Sequence, residues 1–222
     1  MLQPTPHFHS SSSSNGSPSS SPPTTTRDAI LDAAGVLLGR FGYHKTTMDD
    51  LAREAGVARR TLYLHFRSKD EIFLERIDRV VERLLSELRA IASGPGSAEE
   101  RLRRMVIERV LYRFDTVRGY VQSLDEIFQA LRQPYLQRRE GYFVSESALF
   151  TRVLEEGVRA GELVVDDPQE TARAFIAATS GLIPYSLSPK ELGSRRDIER
   201  TTQRISELLV SGLRKPGTRS GI

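Results

Sequence analysis

The chain has no cysteine and no tryptophan in 222 residues, and the first absence removes whole classes of chemistry before any motif is read. Without cysteine there is no disulfide, no thiolate metal site and no sulfur nucleophile, so an exported, disulfide-stapled fold is not expected and a reducing, cytoplasmic setting fits. No run comes near the roughly 18 to 20 apolar residues that cross a bilayer, and the amino terminus has no apolar core of the signal-peptide kind. A soluble chain without a membrane partner is therefore expected. Enzyme signatures are missing as well: there is no GxSxG elbow, no HExxH and no glycine-rich phosphate loop. The paired carboxylates Glu155-Glu156 and Asp166-Asp167 are accounted for by solvation and capping. His7, His9, His44 and His65 lack the further ligands that a metal site needs. No catalytic residue, metal or cofactor is expected.

With those classes set aside, charge has to be read by place rather than by total. The formal net charge is only +3, but a local basic stripe can bind phosphate while the rest of the surface stays mixed. A chain of 222 residues suits two modest domains with an ordinary apolar core. Residues 1–26, MLQPTPHFHSSSSSNGSPSSSPPTTT, carry no Lys, Arg, Asp or Glu and are mostly Ser, Pro and Thr. Such a segment buries too little apolar area to offset its ordering entropy, so a disordered tail is expected. Residues 216–222 are expected to form a flexible end.

From Arg27 onward the spacing becomes helical. Ile30, Ala33, Ala34, Leu37, Leu38 and Phe41 recur on one face, and Gly42 stands where that helix should stop. Thr47, with Asp50 three residues on, has the form of an N-cap followed by an acid in the first turn, opening a short second helix that ends near Gly56. A third short helix follows Gly56-Val57-Ala58. Ser68 is placed to cap a long fourth, KDEIFLERIDRVVERLLSELRAIAS, broken by Gly94-Pro95-Gly96. Further helices are expected near 97–114, 118–132, 135–160, 168–184 and 197–214, with Pro134 and Pro168 each in a first turn. There is no β patterning and no repeat, so the expected fold class is all-α.

Two short helices joined by a glycine-containing turn, with another packed behind, make a helix-turn-helix. In GVARRTLYLHF, residues 56–66, Leu62 and Phe66 lie one turn apart and face inward with Val57. Arg59, Arg60, Thr61, Tyr63 and His65 are left for the outside. These are types that DNA recognition uses: a guanidinium grips guanine O6 and N7 bidentately, Thr touches a thymine methyl, and Tyr and His reach phosphate oxygens. Taken alone, Arg-Arg-Thr reads as well as a solvated basic face on a structural helix. Tyr43 and His44, ahead of the second helix, admit a phosphate contact, with a solvated loop as the preferred reading.

The flanking sequence decides between these readings. AILDAAGVLLGRFGYHKTTMDDLAREA followed by GVARRTLYLHFRSKDEIF resembles the DNA-binding domain of the tetracycline-repressor (TetR) family of bacterial transcription regulators over about residues 27–75. FGYHKTTMDDLAREAGV and TLYLHFRSKDEIF match nearly position for position. The resemblance implies that Thr47 caps the second helix and touches phosphate, that Arg59, Arg60 and Thr61 approach bases, and that Tyr63, His65 and Lys69 clamp the DNA backbone. Ala58 departs from the pattern, since the family often has a Ser or Thr cap there, and Arg60 stands where a small residue is common. Also implied are a homodimer on a palindromic double-stranded operator and a helical carboxy-terminal half, residues 76–215, that dimerises and binds a small-molecule effector. Effector binding would move the fourth helix and release the DNA. The alternative is a helical interaction or ligand-binding module of the same fold that activates transcription or has lost specific DNA binding.

Beyond residue 75 no motif is comparably sharp. LEEGVRAGELVVDDPQETARAF, residues 154–175, resembles the segment joining the seventh and eighth helices of such regulators. Tyr112, Phe128, Gln129, Phe143, Phe150 and Phe175 are the expected effector pocket, with ordinary core packing as the competing reading. Apolar stripes on the last two helices are the expected dimer face, centred on Phe175, Leu182, Ile198, Ile205 and Leu209. Pairing has a physical motive, because one short helix reads too few base pairs to be selective and two copies roughly double the favourable free energy.

Overall fold

Capping chemistry sets where the helices begin. In the computed structural model, which describes residues 25–184 and 193–214, Thr25 and Asp28 form a reciprocal capping box that opens α1 (Thr26–Lys45). Thr25 and Thr26 thus belong to the helix rather than to the expected tail; the remainder of that tail, with His7 and His9, and residues 216–222 lie outside the described residues. Thr47 and Asp50 build the same box for α2 (Met48–Glu54). Ala58 opens α3 (Arg59–His65) with no side-chain cap, Ser68 caps α4 (Lys69–Ala92), and Ser97 with Glu100 caps α5 (Ala98–Val117). Gly42, at φ +78°, interrupts α1 where the sequence asks for a stop, and Gly56, at φ +67°, makes the turn between α2 and α3. Both angles lie in the left-handed region that favours glycine.

The expected break at Pro134 does not occur. A 3-10 segment, Arg118–Ser123, leads into a single α6, Leu124–Arg159, with Pro134 in its interior. An interior proline removes a backbone hydrogen bond and crowds the preceding turn, at about 3 kcal/mol. Leu131 and Tyr135 flank it and are 1% and 6% exposed. Burying side chains of that size contributes about 1.5–3 kcal/mol each, enough to carry the helix through. Pro168 does stand in a first turn, opening α7 (Pro168–Ser180) behind the N-cap Asp167. The last described helix is α8 (Arg195–Ser211), capped by Ser194. Among the described residues there is no strand, only an isolated antiparallel bridge between Leu163 and Arg214.

Two apolar clusters hold these helices. The first includes Ile30, Leu37, Leu51, Leu62, Phe73, Phe114 and Leu124, so it runs from α1 into the start of α6. The second includes Leu84, Leu88, Met105, Phe150, Phe175 and Val210. Polar contacts reinforce the first: Ser123 donates to the Leu38 carbonyl at 2.9 Å, and Arg76 Nη1 to the Leu31 carbonyl at 3.2 Å. Gly39 comes so close to the 3-10 segment that a Cβ there would sit 2.8 Å from the Gly119 oxygen. The helix-turn-helix is therefore seated on α4 and on the entrance to α6.

Candidate nucleic-acid interface

A helix of two turns is marginal on its own and must be held by its neighbours. On α3 Leu62 and the following Phe66 are buried in the first cluster, with Val57 packed against it. The opposite face presents Arg59, Arg60, Tyr63 and Leu64 to solvent, with Thr61 and His65 half-buried at its edges. Leu64, 76% exposed, lies among the donors, and a search for polar residues passes over it.

The exposed groups are held loosely or not at all. Arg59 faces Asp49 of α2, with Nη1 3.1 Å from Oδ2 and Nε 3.1 Å from Oδ1, and its guanidinium lies 5.7 Å from the Tyr63 ring centre. Arg60 is exposed and has no partner among the described residues. The Thr47 hydroxyl donates to Asp50 at 2.6 Å, and that bond, with the Thr47 backbone N–H, holds the Asp50 carboxyl below the usual carboxylate range. Between Arg40 and Lys69 the chain has seven Lys or Arg against three acids, a larger surplus than the +3 of the whole sequence. Lys45 and Arg67, both exposed in this segment, are additional cations that a reading confined to the third helix misses.

Lys69 does not stand free in solvent: its ammonium donates to the carbonyls of Tyr43 at 3.0 Å, His44 at 3.3 Å and Thr46 at 3.2 Å, and lies 4.4 Å from the Tyr43 ring centre. Its three protons close the end of α1 that Gly42 leaves open. Tyr43 is not in a solvated loop either. It is buried and donates to Asp70 at 2.6 Å, and burial together with that carboxylate pushes its phenol well above the usual range. His44 is exposed, and its backbone N–H donates to Glu126 at the start of α6 at 3.0 Å.

In the larger half the expected pocket residues scatter. Phe150 and Phe175 are core, with rings 5.8 Å apart. Phe128 packs on the first cluster, Gln129 is exposed, and Tyr112 edges a shallow depression beside Asp115 and Arg195. Aromatics at helical spacing have gone into the core. Only Phe143 of the six borders the groove of about 710 Å3 between α6 and α7, whose apolar walls include Leu136, Val144, Ala148, Ile176 and Ala177. Beneath one end lies a fully buried ion network. Arg109 Nε donates to Glu146 at 2.6 Å, Arg109 Nη1 to Thr179 at 2.7 Å, and Arg113 to the other Glu146 oxygen. Burial pushes the Arg109 guanidinium down to about 10, with Glu146 opposing, so it stays charged at neutral pH.

The expected dimer residues divide as well. Phe175 and Ile198 belong to the core, while Leu182, Ile205 and Leu209 are half-buried. The inward face of α8 is Ile198, Thr202, Ser206 and Val210. The hydroxyls of Thr202 and Ser206 are spent on carbonyls of their own helix, each at 2.7 Å. Outward stand Leu208, 63% exposed, and on α7 the small residues Ala174, Ala177 and Ala178.

Residues 30–75 match the family described as "Bacterial regulatory proteins, tetR family". The chain is 28% identical to the fatty acid metabolism regulator protein of Bacillus subtilis over 83% of its own length and 93% of that protein's. It is 31% identical to the uncharacterized HTH-type transcriptional regulator YfiR of the same organism, over 71% of this chain and 78% of that one. Among solved structures, a transcriptional regulator from Cytophaga hutchinsonii superposes with a TM-score of 0.70 at 18% identity, covering 84% of this chain and 97% of that one. The last likeness concerns the fold.

Proposed function

The chain belongs to the TetR family of bacterial transcriptional regulators, and from that premise we propose that it is a homodimeric repressor that binds a palindromic operator and is released by a small-molecule effector. The observation that carries the DNA-binding part is the construction of α3: leucine-anchored on one side, with Arg59 and the unpartnered Arg60 exposed on the other. Arg59, Arg60 and Thr61 read base edges in the major groove, while Tyr63, His65 and the backbone around Thr47 set the register on phosphate. Lys45 and Arg67 join the phosphate contacts. A second copy pairs through the outer faces of α7 and α8, around Ala174, Ala178 and Leu208, placing two recognition helices on successive turns of the duplex.

The effector occupies the α6–α7 groove, and α6 supplies the connection to the DNA-binding helices. At one end of α6 Glu126 accepts from the His44 backbone beside the end of α1. Further along, Arg138 and Tyr142 both bind Asp78 of α4, and α4 in turn holds α1 through Arg76 and Arg79. A shift of α6 is thus felt by α1 through two routes. The effector releases DNA only to the extent that it binds the DNA-incompetent arrangement more tightly, and operator DNA must weaken effector binding by the same factor.

Fluorescence anisotropy with the duplex upstream of the protein's own gene and a scrambled duplex, at two salt concentrations, tests this reading. Selective binding with two protomers per site is the expected result. Equal, weak binding of both duplexes would contradict it.

A further inference from the structure

The charges under the α6–α7 groove do not balance. Arg109 and Arg113 share one carboxylate, Glu146, and all three side chains are almost wholly inaccessible, at 0%, 4% and 0% exposure. Arg139 adds a third guanidinium, 4.7 Å from the centre of the Phe143 ring, which has Arg109 5.4 Å from its centre as well. Arg139 Nε is buried and has no hydrogen-bond partner among the described residues. Two buried guanidiniums and a half-buried one thus stand against one carboxylate, and buried charge is best tolerated when it is paired. Other charges on the groove do not restore the balance at this end: Glu140 is exposed on the rim, and Arg173 is paired with Glu170 at 3.0 Å.

The open groove begins at that uncompensated end. Arg139 and Ser180 line it, and the wholly buried Arg109 comes within 3.5 Å of the Ser180 hydroxyl through Nη2. Away from the arginines the walls are Val144, Ala148, Ile176 and Ala177, which offer no charge. A planar guanidinium that lines an open groove is well matched to a carboxylate or phosphate oxygen. We infer that the groove binds an organic anion with an apolar body, its charged head against the Arg139 guanidinium and its body along Val144, Ala148 and Ala177. This rests on the reading of the groove as the effector site, and it gives that effector a sign of charge.

Isothermal titration calorimetry of the full chain with decanoate, decan-1-ol and decyltrimethylammonium, all below their micelle-forming concentrations, separates head from body. Decanoate should bind at least about tenfold more tightly than the alcohol, with the ammonium weakest. Arg139→Gln, which breaks no hydrogen bond to another described residue and should melt as the wild type does, should bring decanoate down to the level of the alcohol. Ala177→Trp should remove binding of both. Equal affinities for decanoate and decan-1-ol, no binding of decanoate, or decanoate affinity unchanged in both variants would each overturn the inference. So would a wild type that ignores decanoate while Ala177→Trp loses its dimer, because the groove would then be covered by a second copy. Operator anisotropy with saturating decanoate keeps the two readings apart. Binding without release leaves the anion site standing and removes its effector role, whereas intact operator binding with no decanoate binding removes the site alone.

Discussion

Arginine does opposite work in the two halves of the molecule. On α3, Arg59 and Arg60 project into solvent, one leaning on Asp49 and the other unpartnered. On α5, Arg109 and Arg113 are enclosed, and each is committed to Glu146. An exposed ion pair contributes little to stability because water competes for both charges. A buried one cannot be broken without leaving the survivor unpaired in a poor solvent. The difference shows that position rather than residue type decides whether an arginine belongs to the scaffold or is left available to a partner.

The comparison is sharpest where the effect is largest. Glu146→Ala leaves Arg109 and Arg113 buried without their carboxylate, and should cost about 3–5 kcal/mol in urea unfolding; a loss under about 1 kcal/mol would break the comparison outright. Lys69→Met removes three bonds to carbonyls at the end of α1, and should lower stability by about 1.5–3 kcal/mol while leaving the salt dependence of DNA binding unchanged. A salt slope reduced by about one unit would return Lys69 to the phosphates. Arg59→Ala or Arg60→Ala should weaken operator binding about tenfold or more and relax preference at one base pair, with the melting temperature unchanged. Gly42→Ala forces a left-handed φ on a side chain and brings its Cβ 2.8 Å from Glu126 Oε2, and should cost about 1–2 kcal/mol, visible as a lower melting temperature.

The smallest effect is that of pH. Hydrogen bonds from Thr47 to Asp50, from Arg214 to Glu99 and from Arg101 to Glu156 are the leading causes that hold these carboxyls below their ordinary values. Depressed folded-state values mean stability that is present above the unfolded values of 3.8 and 4.5 and is lost as pH falls through the lower folded ones. Thermal melts should therefore be flat from neutral pH down to about 5 and then decline.

The helix-turn-helix was legible because its signals are local. Thr47 with Asp50, Ser68, Gly42 and Gly56 each announce a boundary within a few residues of themselves, and Leu62 and Phe66 share a face by spacing alone. What could not be read depends on contacts far apart in sequence. Pro134 stays helical because Leu131 and Tyr135 are buried by other helices. Lys69 caps carbonyls more than twenty residues away. The Arg109–Glu146 pair joins α5 to α6 across 37 residues, and the hydroxyl-bearing inner face of α8 reads from sequence as an outer one.

The measurement that tests the central claim most directly is made on the Arg59→Ala/Arg60→Ala double variant, with melting temperature and operator anisotropy recorded on the same sample. The account predicts a melting temperature equal to the wild type's and operator binding reduced to that of a scrambled duplex. Unchanged selective binding, or a loss of binding that only follows a loss of fold, would contradict it.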